Sequence, residues 1–321
     1  MKEAAFVSKN TNKWKKMESK SGLTPDEIAS QFVELTDDLA YASTFYPGSD
    51  TESYLHGITR NKFLHLYKNG KLSSNRFRDF WFREIPELIA LHHKEILLSL
   101  VLFLVSGFIG AFSAAHDVTF VRLILGDDYV NQTLKNIDSG DPMAIYRTMG
   151  ATESFLSITI NNIQVSFVAF VLGVFFSAGT IMIILKNGIM LGAFQYFFYQ
   201  KGLLLTSVLS IWIHGTIEIT SIIIAGGAGI VMGNSLLLPG SFPRAYSFRK
   251  GATDGVKIAV SLVPFFIIAG FLEGFVTRHT FMPAWLSIAV ITISFILVVT
   301  YFIVLPYKTI NKTKTQQNGT Y

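Results

Sequence analysis

Three ionisable residues stand out by their surroundings. His214, Glu218 and Glu273 fall inside long apolar stretches, where inserting such a side chain costs at least about 2.5 kcal/mol, so it faces protein or water rather than lipid. His214 and Glu218 are four apart and share one helix face, with Ser221 and Ala225 continuing the stripe. Gly215 admits a neighbouring helix beside His214, and Glu273 lies on a different apolar stretch between Gly270 and Gly274. Counted depths put His214 and Glu273 both towards the outer side, so the three groups are expected to converge.

Three chemistries fit such a cluster. It can be a hydrogen-bonded lock between helices, with Arg244 or Arg278 at its margins. It can line a proton- or ion-linked transport path. It can hold a metal for hydrolysis inside the membrane, because an i,i+4 His/Glu pair with a third carboxylate is the ligand type zinc takes. The second His of an HExxH helix and a separate general base are missing, however, and no Ser–His–Asp set is visible. The expectation is therefore no catalytic residue, no metal and no cofactor.

The elements that must position these residues follow from composition. The 321 residues are 50% hydrophobic and only 15% charged, against about 25% in a typical soluble domain. With no Cys, a disulfide scaffold and a thiolate zinc site are excluded. Residues 1–95 carry 14 basic and 13 acidic groups, whereas residues 163–305 hold three acids: Glu218, Asp254 and Glu273. The near balance of the first third argues against nucleic acid as a partner. The net charge of +5 reads instead as the basic excess of cytoplasmic membrane loops.

The expected fold class is all-α: a polytopic membrane protein of about six transmembrane helices. Spans are expected near 96–115, 163–185, 189–207, 209–238, 257–276 and 284–305, the first of them close to the ~20 residues that cross a bilayer. The 189–238 block must cross twice or re-enter, because Lys186 and the loop bearing Arg244, Arg249 and Lys250 both read as cytoplasmic. Residues 1–74 form a cytosolic helical region, with a helix starting at Thr24-Pro25-Asp26-Glu27 and another over 50–68. Residues 1–22 are Lys-rich without an apolar core, so this end stays in the cytoplasm. Residues 75–95 form an amphipathic helix, read either as an interfacial elbow in the headgroup layer or as part of a small cytosolic bundle. The loop 116–162 has six acids against three bases and faces outward. The tail 306–321 returns to the cytoplasm.

Small residues mark close packing. Gly188, Gly192, Gly226, the Gly229–Gly233 GxxxG, Gly270 and Gly274, with Gly215, let helix backbones approach within the bundle or across a homodimer.

Several of these motifs carry a family resemblance. Asn187-Gly188 followed by Gly192, His214-Gly215 with Glu218, the AGGAG run at 225–229, Pro239-Gly240, and Ala269-Gly270 with Glu273-Gly274 resemble the stage II sporulation protein M family across roughly 96–305. The resemblance implies a multi-pass protein of the bacterial or archaeal cytoplasmic membrane. In spore formers the namesake belongs to an engulfment complex with peptidoglycan hydrolases. The long N-terminal third and the 116–162 loop depart from the namesake and favour a relative outside sporulation.

The expected function is thus a non-enzymatic scaffold or assembly component of the cell envelope, working as a homodimer. A cytosolic partner would meet residues 1–95, and envelope proteins would meet loop 116–162. The alternative is a transporter or permease subunit using the buried His and Glu groups. An intramembrane metallohydrolase is the third reading.

Overall fold

The computed structural model describes residues 2–19, 25–68, 76–279 and 282–309, which contain no strand. The chain divides into two compact units, Met1–Phe77 and Arg78–Tyr321.

The first unit is three helices, α1 (Glu3–Ser19), α2 (Pro25–Phe45) and α3 (Asp50–Lys68). Phe6, Trp14 and Met17 of α1 close on Leu35, Ala42, Leu55 and Ile58 to form a core of its own. The Trp14 indole N–H donates to Asp38 Oδ2 at 2.8 Å, so the one polar atom of the buried ring is satisfied. Helix α1 goes beyond the sequence reading, which placed residues 1–74 in a helical region and located no helix within 1–22. Its signal was the Phe6, Trp14, Met17 stripe, hidden among lysines on the other faces. Thr24 and residues 69–75, where one helix start and one helix end were expected, lie outside the described residues.

The described residues of the second unit hold six helices long and apolar enough to cross a membrane. A leading segment comes first: α4 (Arg76–Asp79), a π-helical turn (Phe80–Glu84) and α5 (Ile85–Leu91). The amphipathic helix expected over 75–95 runs through this π turn with helical backbone and is interrupted at His92. Ile85, Leu88 and Ile89 are buried in the core of the spanning bundle, while Phe82 and Leu91 stay exposed. Two tethers fix this segment: Glu84 pairs with Lys257, and the Tyr301 hydroxyl donates to the Trp81 carbonyl.

The first span is α6 (His93–His116). Two short helices follow, α7 (Val118–Leu125) and α8 (Asp127–Asp138). The second span, Ala151–Val174, contains α9 (Ala151–Val171); the third is α10 (Ala178–Gln200) and the fourth α11 (Leu204–Leu237). The fifth, Arg244–Thr277, joins α12 (Arg244–Ser261), α13 (Val263–Phe271) and a π turn (Leu272–Thr277). The sixth, Ala284–Thr309, begins as α14 (Ala284–Val299). Pro264 at the start of α13 explains why the fifth span is not one continuous helix, since proline removes a backbone donor. Helix α11 is the axis: α6, α9, α10, α12, α13 and α14 all pack on it. Its 34 residues would measure about 51 Å, well beyond a ~30 Å hydrocarbon layer.

The expected boundaries of the second and third spans are wrong by about a dozen residues. The expected turn at Lys186-Asn187-Gly188 lies inside α10, and the real turn is at 172–177. Polarity misled the reading. Asn187 donates from its amide to the Ile183 carbonyl of its own helix, and Gly188 is small because α6 backbone lies against it. Lys186 is exposed on the outside of α10, where its long stem can carry the amine towards headgroups. The true turn has no charge or proline to announce it. It holds Phe176 and Ser177 at φ of 53° and 66°, a region non-glycine residues seldom occupy. Consequently the second span starts at 151, and the stretch between the first two spans is 117–150 rather than 116–162.

Candidate functional site

His214 and Glu218 stand on one face of α11, as the four-residue spacing requires. Glu273 comes from the π turn of the fifth span, with Thr277 at that turn's other end. One ligand atom from each of His214, Glu218 and Glu273 lies within 4.8 Å of the other two. His214 Nε2 is 3.6 Å from Glu273 Oε2, and His214 Nδ1 is 3.0 Å from Thr277 Oγ1. The imidazole is therefore held by a hydrogen bond at Nδ1, while Nε2 faces the Glu273 carboxylate just beyond hydrogen-bond distance. Single-turn π segments recur at functional sites, and here one supplies both His214 partners.

Around this core stand residues that the sequence did not single out as a set. Asn162 of α9 faces Glu218, is buried, and its amide nitrogen has no partner at hydrogen-bond distance. With the second span expected to begin at 163, it would fall just outside that span. The earlier start of that span carries it inward. From the segment between the first two spans come Tyr129 on α8 and Tyr146 on the short 3-10 turn Ala144–Arg147. The Tyr146 ring centre lies 6.0 Å from that of His214. Both tyrosines, with His214, Glu218 and Asn187, line a cavity of about 320 Å³.

Burial of the Tyr129 hydroxyl, with the Glu273 carboxylate adding to it, pushes that phenol up to about 12. Tyr146 is raised further by burial and then by Glu273, Tyr129 and Glu218. Both phenols remain protonated at neutral pH and can donate to a carboxylate. Val121, Val130 and Met143 anchor the capping segment on Ala114, Ala193, Phe197 and Phe198. Only the long-range packing reveals these tyrosines; no local spacing ties them to His214.

The other expected site residues fall elsewhere. Gly188 and Gly192 face α6, Gly226 faces Ser99 and Ile184, and Gly229 and Gly233 face the 173–180 region. Gly270 and Gly274 face Thr159 and Phe155 of α9. All seven lie in contacts within the chain, so the faces on which a homodimer was expected are covered by the bundle itself. Gly215 differs, since a side chain there would meet only Ile211 and Ile219 of its own helix. Arg244, Arg249 and Lys250 are exposed on α12, at the end of the bundle away from His214. Arg278 donates to the Met149 carbonyl and belongs to the cap rather than to the cluster.

The stage II sporulation protein M family model matches residues 99–278, more than half of the chain and all three cluster residues. The chain belongs to the stage II sporulation protein M family. A second model, a domain of unknown function (DUF8413), matches residues 4–68, which coincide with the three-helix unit. No curated protein and no solved structure matches the chain. Family membership and six spanning helices make this a membrane protein.

Proposed function

We propose that this family member is a transport component, a transporter or permease subunit that takes protons or small cations into the chamber beneath Tyr129 and Tyr146. The observation supporting this is the meeting of His214, Glu218 and Glu273 inside the spanning bundle, with His214 and Glu218 lining the cavity. A lock between helices would need its polar atoms paired, yet the buried Asn162 amide nitrogen stands beside Glu218 without a hydrogen bond of normal geometry. Protein reconstituted in liposomes should dissipate an imposed proton or cation gradient, and Glu218→Gln and Glu273→Gln should cut that flux at least tenfold. A silent wild type, or variants matching it, would remove the reading.

The Lys and Arg distribution supports a cytoplasmic-membrane orientation with both termini inside. The chain has no cysteine, so single cysteines report cleanly. On intact cells a membrane-impermeant maleimide should label Ser139→Cys and spare Ser241→Cys.

The three-helix unit favours a second reading, a scaffold or assembly component of the cell envelope. It has its own core and its own family match. If scaffolding is the task, Glu218→Gln with Glu273→Gln should restore a deletion strain fully, and a chain lacking residues 1–77 should not. The opposite pattern would discard it.

A further inference from the structure

We propose that His214, Glu218 and Glu273 form a binding site for one divalent cation of the zinc class. The inference rests on the transport reading only for what the ion is used for; whether the ion binds is a separate question.

The ligand set is the first argument. One imidazole and two carboxylates suit zinc and neighbouring transition metals, whereas magnesium and calcium take oxygen alone. In a tetrahedral zinc site, ligands about 2.1 Å from the metal stand about 3.4 Å from one another. The His214–Glu273 pair at 3.6 Å is already near that separation. The widest pair, within 4.8 Å, closes by rotation of flexible Glu side chains. Three protein ligands leave a fourth position open to water or exchange.

Charge is the second argument. Two carboxylates so near each other inside an apolar bundle are costly when ionised. A divalent cation cancels their charge completely, which neither Arg244 nor Arg278 is placed to do.

The surrounding groups supply the third. Thr277 Oγ1, 3.0 Å from His214 Nδ1, can accept a hydrogen bond from Nδ1–H and leave the Nε2 lone pair facing Glu273. Metal-binding histidines are oriented in this way. The unpartnered Asn162 amide faces Glu218 and can hold the carboxylate oxygen that does not bind metal. Tyr129 and Tyr146 line the same cavity as His214 and Glu218, so their hydroxyls are available to a ligand there. The buried and unsatisfied Asn162 amide is what an incomplete outer shell would look like.

The test uses the full chain without a polyhistidine tag, purified in detergent. Metal content is measured by mass spectrometry, and Zn²⁺, Mn²⁺ and Mg²⁺ are titrated against a fluorescent chelator. One equivalent of Zn²⁺ per chain is expected, with no Mg²⁺ binding at the same concentration. Zinc should also raise the unfolding temperature. Glu218→Gln, Glu273→Gln and His214→Ala should each weaken zinc at least tenfold and abolish that rise. Thr277→Val should weaken zinc tenfold while keeping one equivalent, which a purely structural threonine would not do. Because Glu→Gln is nearly isosteric, the variants' own unfolding temperatures show that they fold.

No zinc bound by monodisperse wild type, or binding by Glu218→Gln, Glu273→Gln and His214→Ala each equal to wild type, would overturn the proposal. Zinc bound without flux keeps the site and removes the transport reading. Proton flux without zinc binding does the reverse.

Discussion

The two halves of α11 do opposite work with similar residues. From Ala225 to Gly233 the helix is packed solid. A methyl group on Gly229 would sit 2.4 Å from Thr180 Oγ1 and 2.7 Å from the Ala169 carbonyl oxygen, and one on Gly226 would sit 2.3 Å from Ile184 Cδ1. At Gly229 glycine is required by close approach, because the Ala169 backbone cannot move aside, whereas at Gly226 the neighbours are side chains. From Ile211 to Glu218 the same helix borders a cavity, and Gly215 meets nothing beyond its own turn. Small residues thus mean contact in one half and space in the other. Sequence alone groups both under one rule for small residues, and it is neighbouring backbone that separates them.

The comparison breaks most readily at Gly229. Gly229→Ala forces α9 and α10 away from α11, and overpacking of this kind costs about 1–3 kcal/mol. Thermal unfolding in detergent, followed by the loss of monodisperse protein, should show a large drop. An unchanged midpoint would mean that the near-solid half is loosely held, and the contrast would fail.

Gly215→Ala should do the reverse. Alanine is favoured over glycine inside a helix by about 1 kcal/mol, and nothing opposes its methyl group at 3.5 Å. The same unfolding assay should show no loss and up to that gain. The added methyl also narrows the chamber beside His214, so flux should fall while stability holds. A destabilised Gly215→Ala would place a neighbour where the structure has space.

Legibility from sequence divides along the same line. The helical class, the count of six spans and the meeting of His214, Glu218 and Glu273 could be read, because each rests on local signals: apolar length, spacing of four, and the rarity of acids after residue 162. The 172–177 turn could not. Phe175, Phe176 and Ser177 carry no turn chemistry, and the chain reverses there because Gly173 and Ser177 pack against Gly229 and Gly233. Asn187-Gly188 had the composition of a turn and is helix. Tyr129, Tyr146 and Thr277 were missed as site residues for a related reason: what makes them important is who faces them across the bundle.

Replacing the acids sharpens the functional half. Glu218→Gln with Glu273→Gln removes two carboxylates from an apolar interior, where charge is tolerated only when paired. Metal-free double variant should unfold about 1 kcal/mol later than metal-free wild type, within the range usual for relieving an active site at the expense of function. Flux should be lost in the same protein. Stability and function falling together would turn the cluster into a structural lock.

The smallest effect separates polar groups used for packing from those held for a ligand. In the packed half, the Ser99 hydroxyl donates to the Ile223 carbonyl at 2.7 Å and ties α6 to α11. Hydrogen bonds between membrane helices are worth about 0.6 kcal/mol on average, so Ser99→Ala should cost about that much and leave zinc binding and flux untouched. Asn162 has the same burial and a different account. Its amide nitrogen has no partner, so Asn162→Leu deletes an unsatisfied donor, and stability should hold or rise slightly. Zinc affinity should nevertheless fall, because the donor facing Glu218 is gone. The paired measurement matters more than either alone. If Ser99→Ala weakened zinc as much as Asn162→Leu, the two halves of α11 would be one coupled unit, and the division between a packed end and a chemical end would have to be abandoned.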